Sequence, residues 1–211
     1  MMSVSLAELA ERVEGAVPAR GGVPDAGQYE QCVRDAVADF SRRCPMQRVA
    51  TLAIVRGTAA YALPADFLRL IRIASPSAGD GVINSNDGLI PVGPTWRERY
   101  TIAGLTITFY PPPAYSMSRD LWYAAAHVLD DSDEYPDLGG DEAGMVLLKA
   151  QALALSLQAN AVAGNAWTYQ VGDERVDKTK QAESLRNQAK GLNDEYVAAV
   201  KAAIGPVGLR G

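Results

Sequence analysis

The sequence predicts an α+β protein: an antiparallel helical bundle, with two long C-terminal helices and shorter N-terminal ones, that carries an inserted antiparallel β subdomain. Three observations lead there. Residues 143–164 are an apolar stretch of about six helical turns, too apolar to stand alone in water. Apolar residues recur with a period near 3.6 at both ends of the chain, and near 2 over about eighty residues between them. The helices on either side of that middle stretch need one another as packing partners, so the β layer is an insertion between them. The expected divisions are residues 1–45 for the N-terminal helices of the bundle, 46–129 for the β-rich subdomain, 130–204 for a C-terminal helical hairpin and 205–211 for a flexible tail.

In chain order, Leu6, Leu9, Ala10 and Val13 make a short amphipathic helix that Gly15 and the Pro18 to Pro24 stretch bring to an end. From Asp25 to Arg43, the residues Tyr29, Cys32, Val33, Ala36, Val37 and Phe40 form a one-sided stripe, and Pro45 closes that helix. Short strands are expected around Arg48 to Val55, Leu68 to Ala74, Ile90 to Val92, Trp96 to Ile102, Leu105 to Tyr110 and Arg119 to Val128. Gly104 suits a tight hairpin turn, and Pro111-Pro112-Pro113 cannot donate to a ladder, so the strand before it stops. Residues 75–88 are dense in turn formers and read as exposed loops.

The acidic connector Asp130, Asp131, Asp133, Glu134 and Asp137 leads to Gly139-Gly140, with Asp141 placed to cap the central helix. That helix has one apolar flank with Val146, Leu147, Ala150, Leu153, Ala154, Leu157 and Ala161, and another with Met145, Leu148, Ala152, Leu155, Ala159 and Val162. Two polar seams part them, one with Lys149, Ser156 and Asn160, the other with Gln151 and Gln158. Two apolar flanks ask for two partners, the second being another layer or a neighbouring subunit. A last amphipathic helix is expected from about Asp173, with Leu185, Ala189, Leu192, Tyr196 and Val200 on one face, ending at Gly205-Pro206.

A net charge of -5 argues against binding nucleic acid by neutralising phosphates, but not against letting DNA slide past. Lys149, Gln151, Ser156 and Gln158 interrupt the one long apolar run, so no membrane partner is expected. The acidic, amphipathic stretch from Ser5 to Glu11 does not read as a signal peptide, and the expected site of synthesis and residence is the cytoplasm. Cys32 and Cys44 lack a CxxC spacing and fit free thiols.

Chemistry is thinly represented. His127 is the only histidine, which leaves no zinc site built on several imidazoles and no Ser-His-Asp triad unless this residue serves. A structural role suits it best; a small hydrolase or metal-dependent enzyme would need His127 and the Asp130 to Asp137 carboxylates to converge. That acidic run lacks the order of a calcium loop, and the glycine pairs are not followed by Lys-Ser or Lys-Thr. No catalytic, metal or cofactor residue is therefore assigned. Arg69, Arg72, Arg97 and Arg99 alternate with apolar residues and are read either as solvated or as a partner- or DNA-facing patch. Among the tryptophans, Trp122 is weighed towards core packing and Trp167, between helices, towards an interface.

Three stretches carry a family resemblance. Tyr61-Ala62-Leu63-Pro64-Ala65-Asp66-Phe67-Leu68-Arg69-Leu70 resembles the "Y-x-LP-x-DF" opening of a β insertion; Leu105 to Pro113 followed by Leu121-Trp122-Tyr123 is similar to a late strand, proline break and return strand; and Tyr169 to Asp177, leading through Gln181-Ala182 to Tyr196, looks like a helix-loop-helix close. Together they resemble the head-to-tail connectors, or adaptors, of tailed bacteriophages, and among them the larger adaptors. The resemblance implies a structural virion protein of the neck, without catalysis, of which about twelve copies form a ring beneath the portal and extend the DNA channel towards the tail. The implied partners are the portal protein, neighbouring copies, tail or neck proteins, and passing DNA without sequence-specific contact. The alternative is another neck or tail-completion protein of the same particle. Candidate residues for contact with portal or neighbour are Trp167, Tyr169, Ile204, Pro206, Val207, Leu209 and Arg210.

Overall fold

The computed structural model describes residues 3–74, 99–164, 168–171, 174–177 and 179–204, with the backbone alone at 168–171, 174–177 and 179. In chain order the elements are β1 (Val4–Ser5), α1 (Leu6–Ala16), α2 (Ala26–Arg43), β2 (Met46–Ile54), β3 (Ala60–Ala62), β4 (Phe67–Ile73), β5 (Arg99–Ala103), β6 (Thr106–Tyr110), β7 (Met117–Ala125), β8 (Glu134–Tyr135), α3 (Gly140–Gly164), β9 (Thr168–Val171), β10 (Glu174–Asp177) and α4 (Thr179–Ile204). The fold is mixed α+β, with antiparallel pairing in every described sheet. Two compact units divide the chain: Met1–Cys44 with His127–Gly211, and Pro45–Ala126.

The first unit is helical. Ser5 starts α1 by accepting the Glu8 N–H on its Oγ at 3.1 Å, and Leu6, Leu9 and Val13 turn inward. Asp25 and Gln28 close a reciprocal capping box at 2.8 and 2.9 Å, which fixes the start of α2 at Ala26, three residues before Tyr29 opens its apolar stripe. α3 packs on α4, α2 and α1. Its alanines at 143, 150, 154 and 159 are buried, and such small side chains let neighbouring helices approach closely. Leucines and methionine from both of its flanks join one core cluster, so the second apolar flank is partly covered within the same unit. By length and hydropathy α3 would pass for a membrane span, but Lys149 lies near its middle and three helices of its own unit pack on it. Gln158 on the polar seam is buried; its Nε2 donates to the Pro18 carbonyl at 2.7 Å and pins the α1–α2 connection beside the Tyr29 hydroxyl, which donates to the Val17 carbonyl at 2.6 Å.

Three expectations need correction. The last helix starts at Thr179, because Thr168–Val171 pairs antiparallel with Glu174–Asp177, with Val171 opposite Glu174 and Thr168 opposite Asp177. The expected cap at Asp173 lies outside the described residues. At the start of α3 the reaching side chain is Glu142, whose Oε2 accepts the Gly139 N–H at 2.8 Å, while Asp141 sits within the first turn. The strand expected to run to Val128 ends at Ala125.

The second unit is a small sandwich of two three-stranded sheets, ordered β2-β7-β4 and β3-β6-β5. Leu52, Ile54, Leu121, Tyr123 and Ala125 of one sheet and Ile107 and Phe109 of the other share a single core with Leu63. Gly104, at φ 56°, opens the β5–β6 turn, with Leu105 in that turn and 47 % exposed, so Leu105 belongs to the turn and the strand starts at Thr106. The strands expected at Ile90 to Val92 and before Arg99, and the loops within 75–88, lie outside the described residues.

Candidate interaction surface

The stretch Tyr61 to Phe67 organises the sandwich residue by residue. The Tyr61 hydroxyl accepts the Val55 N–H at 2.9 Å and lies 2.9 Å from the carbonyls of Val55 and Thr58, knitting the β2–β3 connection together. Leu63 is buried in the core, and Phe67 donates its N–H to the Pro64 carbonyl at 3.0 Å. Among the described residues of this unit Asp66 is the buried acid: its carboxylate accepts from Arg48 Nη1 at 3.0 Å and from the Tyr123 hydroxyl at 3.1 Å. Burial first, and then the hydrogen bond to Asp66, raise the Tyr123 phenol above its ordinary range. Phe67 stacks on Tyr123 at 5.8 Å, so the ring that donates to Asp66 is itself held in place.

Those contacts fix how β4 faces outward. Register shifts between Phe67 and Arg69, and again between Leu70 and Arg72, insert extra residues against β7. As a result Phe67, Leu70 and Ile73 point into the core every third residue, where simple alternation expects every second. Arg69 and Arg72 are thereby both exposed, opposite Ala124 and Trp122 of β7. Val49 of β2 lies opposite Trp122 from the other side, which lays Val49, Trp122 and Arg72 in one row across three strands. The Arg72 guanidinium sits 4.5 Å from the Trp122 ring centre, a cation–π contact, and Val49 is 48 % exposed. Thr51 and Asp120 form the next row, with their oxygens 3.4 Å apart.

An exposed aliphatic, a half-buried tryptophan and an arginine stacked on it make a surface of the composition that anchors protein partners. Trp122 was weighed towards the core from sequence; alternation along β7, with Leu121 and Tyr123 inside, puts it on the outer face, and that alternation was readable. Arg99 is not part of this surface. Its strand neighbour Tyr100 packs on Phe109 of the core, so Arg99 faces out from the other sheet, opposite Tyr110. The basic residues therefore divide between the two outer faces, and Arg97 lies outside the described residues.

Of the remaining candidates, Tyr169 is placed by its backbone in β9 opposite Val176, and Ile204 is the exposed last residue of α4. Trp167, Pro206, Val207, Leu209 and Arg210 lie outside the described residues. His127 is buried against α2, 5.3 Å from the Phe40 ring, with Nδ1 3.1 Å from Ser41 Oγ. Because that hydroxyl donates to the Val37 carbonyl at 2.8 Å and accepts the His127 N–H at 3.0 Å, its second lone pair is left for a proton on Nδ1. The acidic connector is likewise engaged locally. Asp130 Oδ1 accepts the N–H groups of Ser132 and Glu134 at 2.8 and 3.0 Å, a tight turn joined to the N-terminus through β1–β8 pairing. No group of ligating side chains among the described residues could hold a metal ion. Neither Cys32 nor Cys44 is in a disulfide, and burial pushes Cys32 up to about 11, which keeps it protonated and unreactive at neutral pH.

Compared with known proteins, the chain matches the family model described as SU10 adaptor protein over residues 4–197. No curated protein matches it.

Proposed function

The chain belongs to the SU10 adaptor protein family, and on that premise we propose that it is the head-to-tail adaptor of a tailed phage, forming a ring of about twelve copies beneath the portal and extending the DNA channel towards the tail. The family makes it a structural protein of the phage virion neck, associated with other virion proteins such as portal and tail. The observation that carries the reading is the span of the match: residues 4–197 take in both units, so the sandwich is covered as well as the helices. In this reading the four described helices are an antiparallel bundle that builds the ring wall, and the sandwich is an insertion that reaches a partner protein. The outer-face row of Val49, Trp122 and Arg72 is the surface for that contact. A net charge of -5, repeated around a channel, repels the DNA backbone and favours passage without retention.

Complementation tests this. A phage lacking the gene is expected to fill heads that carry no tails, and the full-length protein supplied in trans to restore tailed particles. A chain with Trp122→Ala and Arg72→Ala is expected to fold but to lower the yield of tailed particles by roughly tenfold or more, the effect of losing a central anchor. Tailed, infectious particles without the gene product would end the adaptor reading. Full rescue by the double variant would remove the sandwich face from it.

A further inference from the structure

On one side of the α3–α4 seam lies a groove lined by Lys149, Leu153 and Ser156 of α3 and by Arg186, Lys190 and Asn193 of α4. Ala152, Leu153 and Ala189 give it apolar surface, and Lys149, Arg186 and Lys190 give it positive charge. Among the described residues none of the three cations forms a salt bridge; the Lys149 ammonium donates to Asn193 Oδ1 at 2.8 Å instead. The acids of α4, Glu183, Asp194 and Glu195, do not line the groove. Lys149 also feels the Asp39 carboxylate of α2, so in a protein of net charge -5 the positive rim open to an incoming anion is carried mainly by the exposed Arg186 and Lys190.

The same chain carries a complementary surface elsewhere on this unit. Asp130, Asp131 and Asp133 are exposed, and the exposed Val128 precedes them. The loop is held in shape by the Asp130 hydrogen bonds, so docking it costs little chain ordering. It is fastened to the start of α1 by β1–β8 pairing and by the Leu6 N–H donating to the Asp133 carbonyl at 3.0 Å. α1, to which the loop is fastened, packs on α2 and α3, and α4, which supplies most of the basic rim, packs on α3. One molecule thus bears two unlike, oppositely charged surfaces, the arrangement a head-to-tail contact requires if repetition is to close a ring.

We propose that the α3–α4 groove of one copy receives the Val128–Asp133 loop of the next copy, with Val128 on the groove's apolar surface and the aspartates against Lys149, Arg186 and Lys190. The inference rests on the ring-forming adaptor reading and names the surfaces by which neighbouring copies meet. The test loads full-length protein onto the portal ring of the same phage and counts bound copies by native mass spectrometry, with helicity of each variant checked by circular dichroism. Wild-type chains are expected to fill the portal. Arg186→Glu with Lys190→Glu is expected to leave portals partly occupied, needing roughly tenfold more protein to fill. Adding Asp131→Lys in the same chain, which leaves the Asp130 turn intact, is expected to restore much of the filling. Rings of the reversed variant that fill like wild type would overturn this contact alone. Failure of the charge swap to rescue would overturn the loop as the occupant, and a wild-type protein that gathers on no portal would overturn the ring reading and the contact with it. Should the reversed chain not fold, mixed Lys190→Cys and Asp131→Cys chains decide under oxidation: a linked pair is expected, and its absence overturns the proposal.

Discussion

Two side chains show how single residues set the behaviour of each unit. Asp66 is the acceptor that Arg48 and Tyr123 share inside the sandwich, so Asp66→Ala is expected to cost about 2–3 kcal/mol, read as a lower urea midpoint and faster amide exchange along β4 and β7. Tyr196 in the helical unit is fully buried, and its hydroxyl makes no hydrogen bond within normal geometry although the Asp39 carboxylate is near enough to couple with it. Burial first, then Asp39, raise its phenol. The folded state therefore holds that proton more tightly than the unfolded chain: the contribution is complete below the ordinary tyrosine range near pH ~10 and is lost as pH rises through the folded value. Asp39 runs the other way. Burial pushes its carboxyl up, but the hydrogen bond from Arg43, with the Tyr196 hydroxyl and the Arg43 and Lys149 charges nearby, brings it down, so its contribution is present above the ordinary carboxylate range and fades in acid. Tyr196→Phe is expected to be as stable as the native chain at pH ~7, or more so by up to about 1 kcal/mol, and to lose less stability in alkali, as thermal melts across pH would register. The "Y-x-LP-x-DF" pattern was legible as a motif. Its chemistry was not, because Arg48 and Tyr123 reach Asp66 from distant strands and no local period encodes that meeting.

Elements were legible where one face alone meets the core. The stripes of α1 and α2 repeat at helical spacing, and both carry a capping residue where the repeat begins. β4 was harder, since two register shifts turn its inward period from two to three and bring Arg69 and Arg72 to the same outer face. The β9–β10 pair is hard to read because it lies between two long helical patterns; its signal is Tyr169-Gln170-Val171 and Glu174-Arg175-Val176 flanking the turn formers Gly172-Asp173 in the sequence. The two apolar flanks of α3 were visible, but that both would join one core cluster depended on how closely its alanines let neighbouring helices approach. What remains unfilled beside α3 is the cation-rimmed groove, which no apolar periodicity announces because its three charges come from two helices.

At the scale of the whole molecule, the helical unit and the sandwich each carry a different surface, a cation-rimmed groove and an acidic loop on the first and an aromatic row on the second, which the proposed ring would use together. Family membership over residues 4–197 supplies the setting for both, that of an adaptor in a phage virion. The most direct measurement is electron microscopy of this protein mixed with the portal of the same phage and with its tail components, averaged into classes. A single ring of added density at one end of the portal, with about the twelve copies of a closed cyclic assembly, is the predicted result. A bare portal beside density of this protein on the tail components would contradict it, and would place the chain among the tail-completion proteins of the neck.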